Sequence, residues 1–213
     1  MSQSKTVYTR FRAASLLLAF LCLAGQGSAE PLAGTALVEH LRKGGYVLLM
    51  RHASSPTVLP DRQSADPQNV ALERQLDEKG RNSAIAMGQA IRKLKVPVGE
   101  VLSSPAYRAL ETVRLAAFGS AKTYPELGDG GHSMQMRAVA GQADWLRQKV
   151  SERPAPGSNT IIVTHMPNIT VSFAGIANNL TDGETLVFQP KGNGESDLVA
   201  RVKIEDWPSL VRN

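Results

Sequence analysis

Cysteine is almost missing from this chain: Cys22 is the only one in 213 residues. It lies in an N-terminal segment expected to be removed. The remainder then has no disulfide, no thiol nucleophile and no zinc–thiolate site. Paired histidines are missing too. His40, His52, His132 and His165 stand apart, without an acidic cluster beside them, so neither a metal nor another cofactor is expected. No Lys/Arg block stands out, and a nucleic-acid surface is not indicated. After residue 29 there is no long apolar run, so no membrane span is expected in the mature protein. Repeats and low-complexity linkers are absent as well.

What is present begins with an export pattern. Lys5, Arg10 and Arg12 form a positive start, and residues 13–25 are uncharged and mostly apolar. Gly27, Ser28 and Ala29 follow as small residues at which a signal peptidase can cut. That run is shorter than the roughly 20 residues a spanning helix needs. We read 1–29 as a signal peptide and 30–213 as one domain, periplasmic or secreted. Removing 1–29 takes away three basic residues and no acidic ones, so the formal charge falls from +5 to +2.

Short apolar runs alternate with helical patterns, the signature of an α/β domain. Helices are expected over 32–42, from an Asp77 cap onward, from Ser104-Pro105 to near Gly119, and over 134–150. In the second of these Ala84, Met87, Gly88, Ile91 and Leu94 share one face. In the third, Leu110, Val113 and Ala117 are expected to point inward. Strands are expected over 46–50, 97–102, 122–124 and 160–164. Two more, 185–188 and 198–202, are expected to pair through the turn at 192–194. Residues 53–73 read as a long loop.

Three of these strands end alike. Residues 46–50 run into Arg51-His52, and 101–102 lead through Ser103-Ser104 to Arg108. Residues 160–164 run into His165, with Pro167 at a helix start. Ligands of open α/β sheets bind outside the carboxyl ends of strands, so two arginines and two histidines are expected to converge. Such a pocket suits a phosphate. Arginine offers a permanently charged fork of donors, and helix starts add free N–H groups. An imidazole can carry a covalent phosphoryl group, and cationic neighbours favour its neutral form.

The segment Val47-Leu48-Leu49-Met50-Arg51-His52-Ala53 resembles the Arg-His-Gly signature of the histidine phosphatase superfamily (phosphoglycerate mutase-like, branch 1). Val101 to Thr112 resembles its second arginine motif, and Ile162-Val163-Thr164-His165 its second histidine motif. The resemblance covers most of 46–173 and is closest to exported bacterial members. It implies a three-layer α/β/α sandwich with a mostly parallel central sheet. It also implies phosphorylation of His52, with Arg51, Arg108 and His165 binding the phosphoryl group. Ala53 departs from the usual glycine and narrows backbone freedom. For the general acid Glu126 is the first choice, with Asp129 and Glu184 as alternatives. Arg74 resembles a recurrent arginine of exported relatives and is expected either to touch substrate or to pair with a nearby acid.

The function expected is metal-independent phosphomonoester hydrolysis through phosphohistidine. Its partner would be a small phosphorylated molecule, with phosphosugars among the candidates. A phosphoglycerate mutase-type phosphotransferase and a non-catalytic phosphate-binding module are the alternatives. Other residues draw blander readings. His40 is taken as a solvated helix residue, His132 as an exposed loop residue and Trp145 as core.

Overall fold

The computed structural model describes residues 31–129 and 141–211. The expected signal segment therefore lies outside the described residues. So do His132 and the first part of the helix expected over 134–150.

Strand β1 (Val47–Arg51) sits at the middle of a six-stranded sheet. It pairs in parallel with β4 (Asn159–Thr164), which pairs in parallel with β2 (Val98–Ser103). On the outer edge β2 pairs in parallel with the short β3 (Lys122–Thr123). On the other side β1 meets β5 (Thr185–Pro190) antiparallel, and β5 meets β6 (Ser196–Val202) antiparallel. The sheet order is thus β3-β2-β4-β1-β5-β6.

Alternation along the strands feeds two cores, as the pleat requires. On one face Leu48, Met50, Val101, Ile161 and Val163 pack under α1 (Gly34–Lys43), α2 (Glu78–Lys93), α3 (Tyr107–Ala116) and the short α6 (Trp207–Leu210). On the other Val47, Leu49, Leu102 and Ile162 pack under α4 (Gln142–Ser151) and α5 (Met166–Ser172). The result is the three-layer sandwich expected. Asp77 caps α2 by accepting from the Gly80 N–H, and the five apolar-face residues expected in and after that helix are all buried. Gly88 is required there, because a side chain would collide with the Ala116 carbonyl of α3.

Two details differ from the sequence reading. Helix α3 begins at Tyr107, not at Ser104-Pro105. Ser104 is still tied to the sheet through its N–H to the Val163 carbonyl, 2.9 Å. The helix start is served instead by Glu73, whose carboxylate accepts from the Tyr107 N–H at 2.8 Å. Val113 faces inward as expected, together with Ala109, Thr112 and Ala116, while Leu110 is half-buried and Ala117 is an exposed C-cap with φ of 52°. His40 is the second difference. It is half-buried, with Nδ1 2.7 Å from the Tyr46 hydroxyl.

Candidate active site

The three parallel strands β1, β4 and β2 end in register, with Arg51 opposite Thr164 and Ser103 opposite Val163. The residues that follow are held there by backbone bonds. The His52 N–H donates to the Thr164 carbonyl at 3.0 Å, and the Ala53 N–H donates to the Thr112 hydroxyl at 3.1 Å. Thr112 in turn donates to the Arg108 carbonyl, one helical turn back. Ala53 is fully buried and is not among the residues of positive φ, so alanine carries no backbone penalty where glycine is usual.

Arg51, His52, Arg74, Arg108, Asp129 and His165 line a cavity of about 110 Å³, with Met166 and Pro167 at its side. Arg108 is its centre. Its Nε donates to His52 Nε2 at 3.1 Å, and its Nη2 lies 3.0 Å from Asp129 Oδ2 and 2.9 Å from His165 Nδ1. Arginine has no acceptor, so both of those imidazole nitrogens must present lone pairs. The protons therefore sit on the opposite nitrogens. His52 Nδ1–H donates to the Ala53 carbonyl at 2.7 Å, and His165 Nε2–H donates to the Ser104 hydroxyl at 2.8 Å. Each histidine is thus neutral and fixed in one tautomer, and His52 turns its unprotonated Nε2 into the cavity.

Electrostatics agree with this assignment. Burial first, and then the charge of Arg108, push the His52 pKa down to about 3, against the upward pull of its bond to Ala53. Burial and Arg108 likewise drive His165 well below the usual histidine range. Burial and Arg74 lower the pKa of Arg108 itself, and an arginine so lowered still carries its charge at neutral pH.

The remaining expected residues divide. Arg74 does line the cavity, braced by its Nε to the Pro56 carbonyl and an Nη to the Ser55 carbonyl. Arg51 lines it as well, while its Nη2 pairs with Asp182 at 2.7 Å and its Nη1 donates to the Leu180 carbonyl. Glu126 is not among the cavity residues. It lies in a 3-10 turn, Pro125–Leu127, whose backbone is pinned by Asn168 to the Glu126 carbonyl and by Thr164 to the Leu127 carbonyl. That turn delivers Asp129 instead, 2% exposed. Glu184 is engaged elsewhere: Oε1 accepts from Arg201, and Oε2 accepts from the Thr181 N–H and hydroxyl. Sequence reasoning missed Asp182, Thr112 and the hold of Ser104 on His165. Asp182 had one signal, its place two residues before Glu184, one of the candidate acids. Among the described residues, no group of three or more His, Cys, Asp or Glu gathers as metal ligands would.

Residues 47–128 match the family model of the histidine phosphatase superfamily (branch 1). The matched stretch holds His52 and both motif arginines, and His165 lies beyond it. No curated protein matches the chain. Among solved structures, the protein histidine phosphatase SixA complexed with tungstate is similar at a TM-score of 0.54 and 18% identity, over 76% of this chain and 98% of its own. SixA from Agrobacterium tumefaciens gives 0.50 and 14%, over 75% and 97%. Bacillus stearothermophilus YhfR gives 0.50 and 16%, over 72% and 94%. At these identities the likeness is one of fold.

The buried histidines fix a pH response. Unfolded histidine titrates near pH 6.5, about, whereas folded His52 and His165 resist protonation far below that. Between those limits the unfolded chain binds more protons, so stability is full above pH 6.5 and falls as the pH drops. The expected slope is about 1.4 kcal/mol per pH unit for each histidine. Urea unfolding from pH 7 to 5 checks this. The His52→Gln/His165→Gln double variant should be less stable but flatter over that range, and an equal slope in both proteins would refute the assignment.

Proposed function

We propose that the protein is a phosphomonoester hydrolase that works without a metal through a phosphohistidine on His52. One observation carries this reading: a neutral, tautomer-fixed imidazole presents Nε2 to a small cavity where three guanidinium groups meet. In this scheme the phosphoryl oxygens of the substrate take up donors of Arg108, Arg51 and Arg74. His52 Nε2 is thereby released as the nucleophile. It attacks phosphorus, the P–O bond to the leaving group breaks, and the electron pair leaves on that oxygen. Water then attacks phosphorus, the P–N bond breaks, and phosphate departs.

The leaving oxygen needs a proton, and we assign its donor as Asp129. It replaces Glu126, the first choice from sequence, because it is the carboxyl that lines the cavity. Pairing with Arg108 favours its ionised form, but a bound phosphoryl dianion draws Arg108 away and adds negative charge, which favours protonation. After donating, the Asp129 carboxylate is placed to take the proton of the attacking water. Arg51 and Arg108 hold the phosphoryl group in this scheme, with Arg74 as a further contact, while His165, whose one N–H goes to Ser104, positions Arg108 through Nδ1. We also propose export of the mature domain, on the strength of the basic start, apolar run and small-residue site within 1–29.

Three measurements test this. His52→Ala should lower kcat/KM for p-nitrophenyl phosphate by at least about a thousandfold, and the wild-type rate should survive EDTA. Equal rates in the two proteins, or an EDTA-abolished rate, would sink the mechanism. Asp129→Asn should slow an alkyl phosphate by about a hundredfold or more, and p-nitrophenyl phosphate, whose leaving group needs no proton, much less. Equal losses on both esters would remove Asp129 as the acid. Mass spectrometry of the protein expressed in a bacterial host should find Glu30 at the N-terminus, and an intact Met1 would contradict export by cleavage of 1–29.

A further inference from the structure

The cavity at His52 is too small for a whole substrate. At about 110 Å³ it falls below the roughly 300–1,000 Å³ of ordinary small-molecule sites. It has room for a phosphoryl group, and the rest of the molecule must lie elsewhere. A second cavity, of about 340 Å³, adjoins it and shares Arg51 as a common wall.

The chemistry of that second cavity is one-sided. It presents three hydroxyl oxygens, of Ser54, Ser83 and Thr181. Each has already spent its proton inside the protein: Ser54 on Asp77, Ser83 on the Lys79 carbonyl, and Thr181 on Glu184. What each turns outward is lone pairs. Asp182 and Glu205 add two carboxylates, again acceptors only. The donors are Lys79 and Arg51, Ile204 is the apolar member, and no aromatic ring lines the space. A wall so rich in acceptors fits a ligand rich in O–H donors. It offers nothing on which a flat base would stack, and little for an acyl chain.

The Asp182 position is built, not incidental. Glu184 clamps the 181–184 turn through Thr181 and Arg201. The Gly183 N–H donates to the His52 carbonyl at 3.0 Å, and the Arg51 N–H to the Glu184 carbonyl at 3.2 Å. The turn is thus stitched to the backbone of Arg51 and His52, and it sets Asp182 in the second cavity against Arg51, the wall the two share.

We propose that this groove is the leaving-group subsite and that it takes a polyhydroxylated, sugar-like moiety, making the substrate class phosphosugars. This rests on the hydrolase reading above. The test compares glucose 6-phosphate with cyclohexylmethyl phosphate, a ring of similar size without hydroxyls, and with p-nitrophenyl phosphate as reference. Wild-type kcat/KM should favour the sugar ester over the cyclohexyl ester by about tenfold or more, as for one or two net hydrogen bonds. Ser83→Phe, which fills the groove, should bring that ratio close to one. Asp182→Asn, a smaller change, should lower the ratio several-fold. Thermal unfolding confirms that both variants fold. Turnover of p-nitrophenyl phosphate without the sugar preference, or a preference kept in both folded variants, overturns the groove assignment alone. No turnover of any ester overturns the hydrolase reading, and this one with it.

Discussion

Arg108 carries a permanent charge to a place where it is 2% exposed, and its neighbours are arranged around that fact. A buried charge without partners is prohibitively costly. Asp129 offsets part of it, and the two imidazoles offer lone pairs to two more of its donors. Burial first, and then this charge, keep both histidines neutral, because an imidazolium facing a guanidinium is disfavoured. One residue therefore sets the tautomer and the aim of His52 and reinforces its neutral state. Its own place depends on α3, whose start is served by Glu73 and whose Thr112 reaches the backbone of Ala53.

The carboxylates around the site show a division of labour. Glu73, Glu111 and Glu184 each accept from backbone N–H groups, at Tyr107, Leu76 and Thr181. They fasten the long loop and the late turn to the sheet end. Asp129 and Asp182 instead answer arginines of the cavity. Placing a carboxylate near the site is thus not enough to give it a chemical part. Those whose oxygens are spent on the backbone are clamps.

That division explains what the sequence could and could not disclose. Period-two and period-3.6 patterns placed the strands and most helices, because burial on one or two faces writes itself into local order. The arginines and histidines were legible because each follows a strand whose end the fold must bring to one edge. The carboxylates were not. Glu126 and Asp129 lie three residues apart in one turn, and only the pinning of that turn by Thr164 and Asn168 decides which faces inward. The start of α3 was misplaced for a similar reason, since its capping partner, Glu73, is 34 residues away.

The sheet order carries a consequence for how the protein is made. Strands β1 and β2 hold the nucleophile and the second arginine, yet they never touch each other: β4 lies between them. That strand is supplied by residues 159–164, far down the chain. During synthesis the sheet cannot join β1 to β2 until that strand emerges, and until then the β1 end can meet α3 only through side links such as Ala53 to Thr112. The pocket is complete only once that strand lies between the other two and brings His165 with it. A chain cut short before that strand would keep most of its recognisable motifs and possess no site at all.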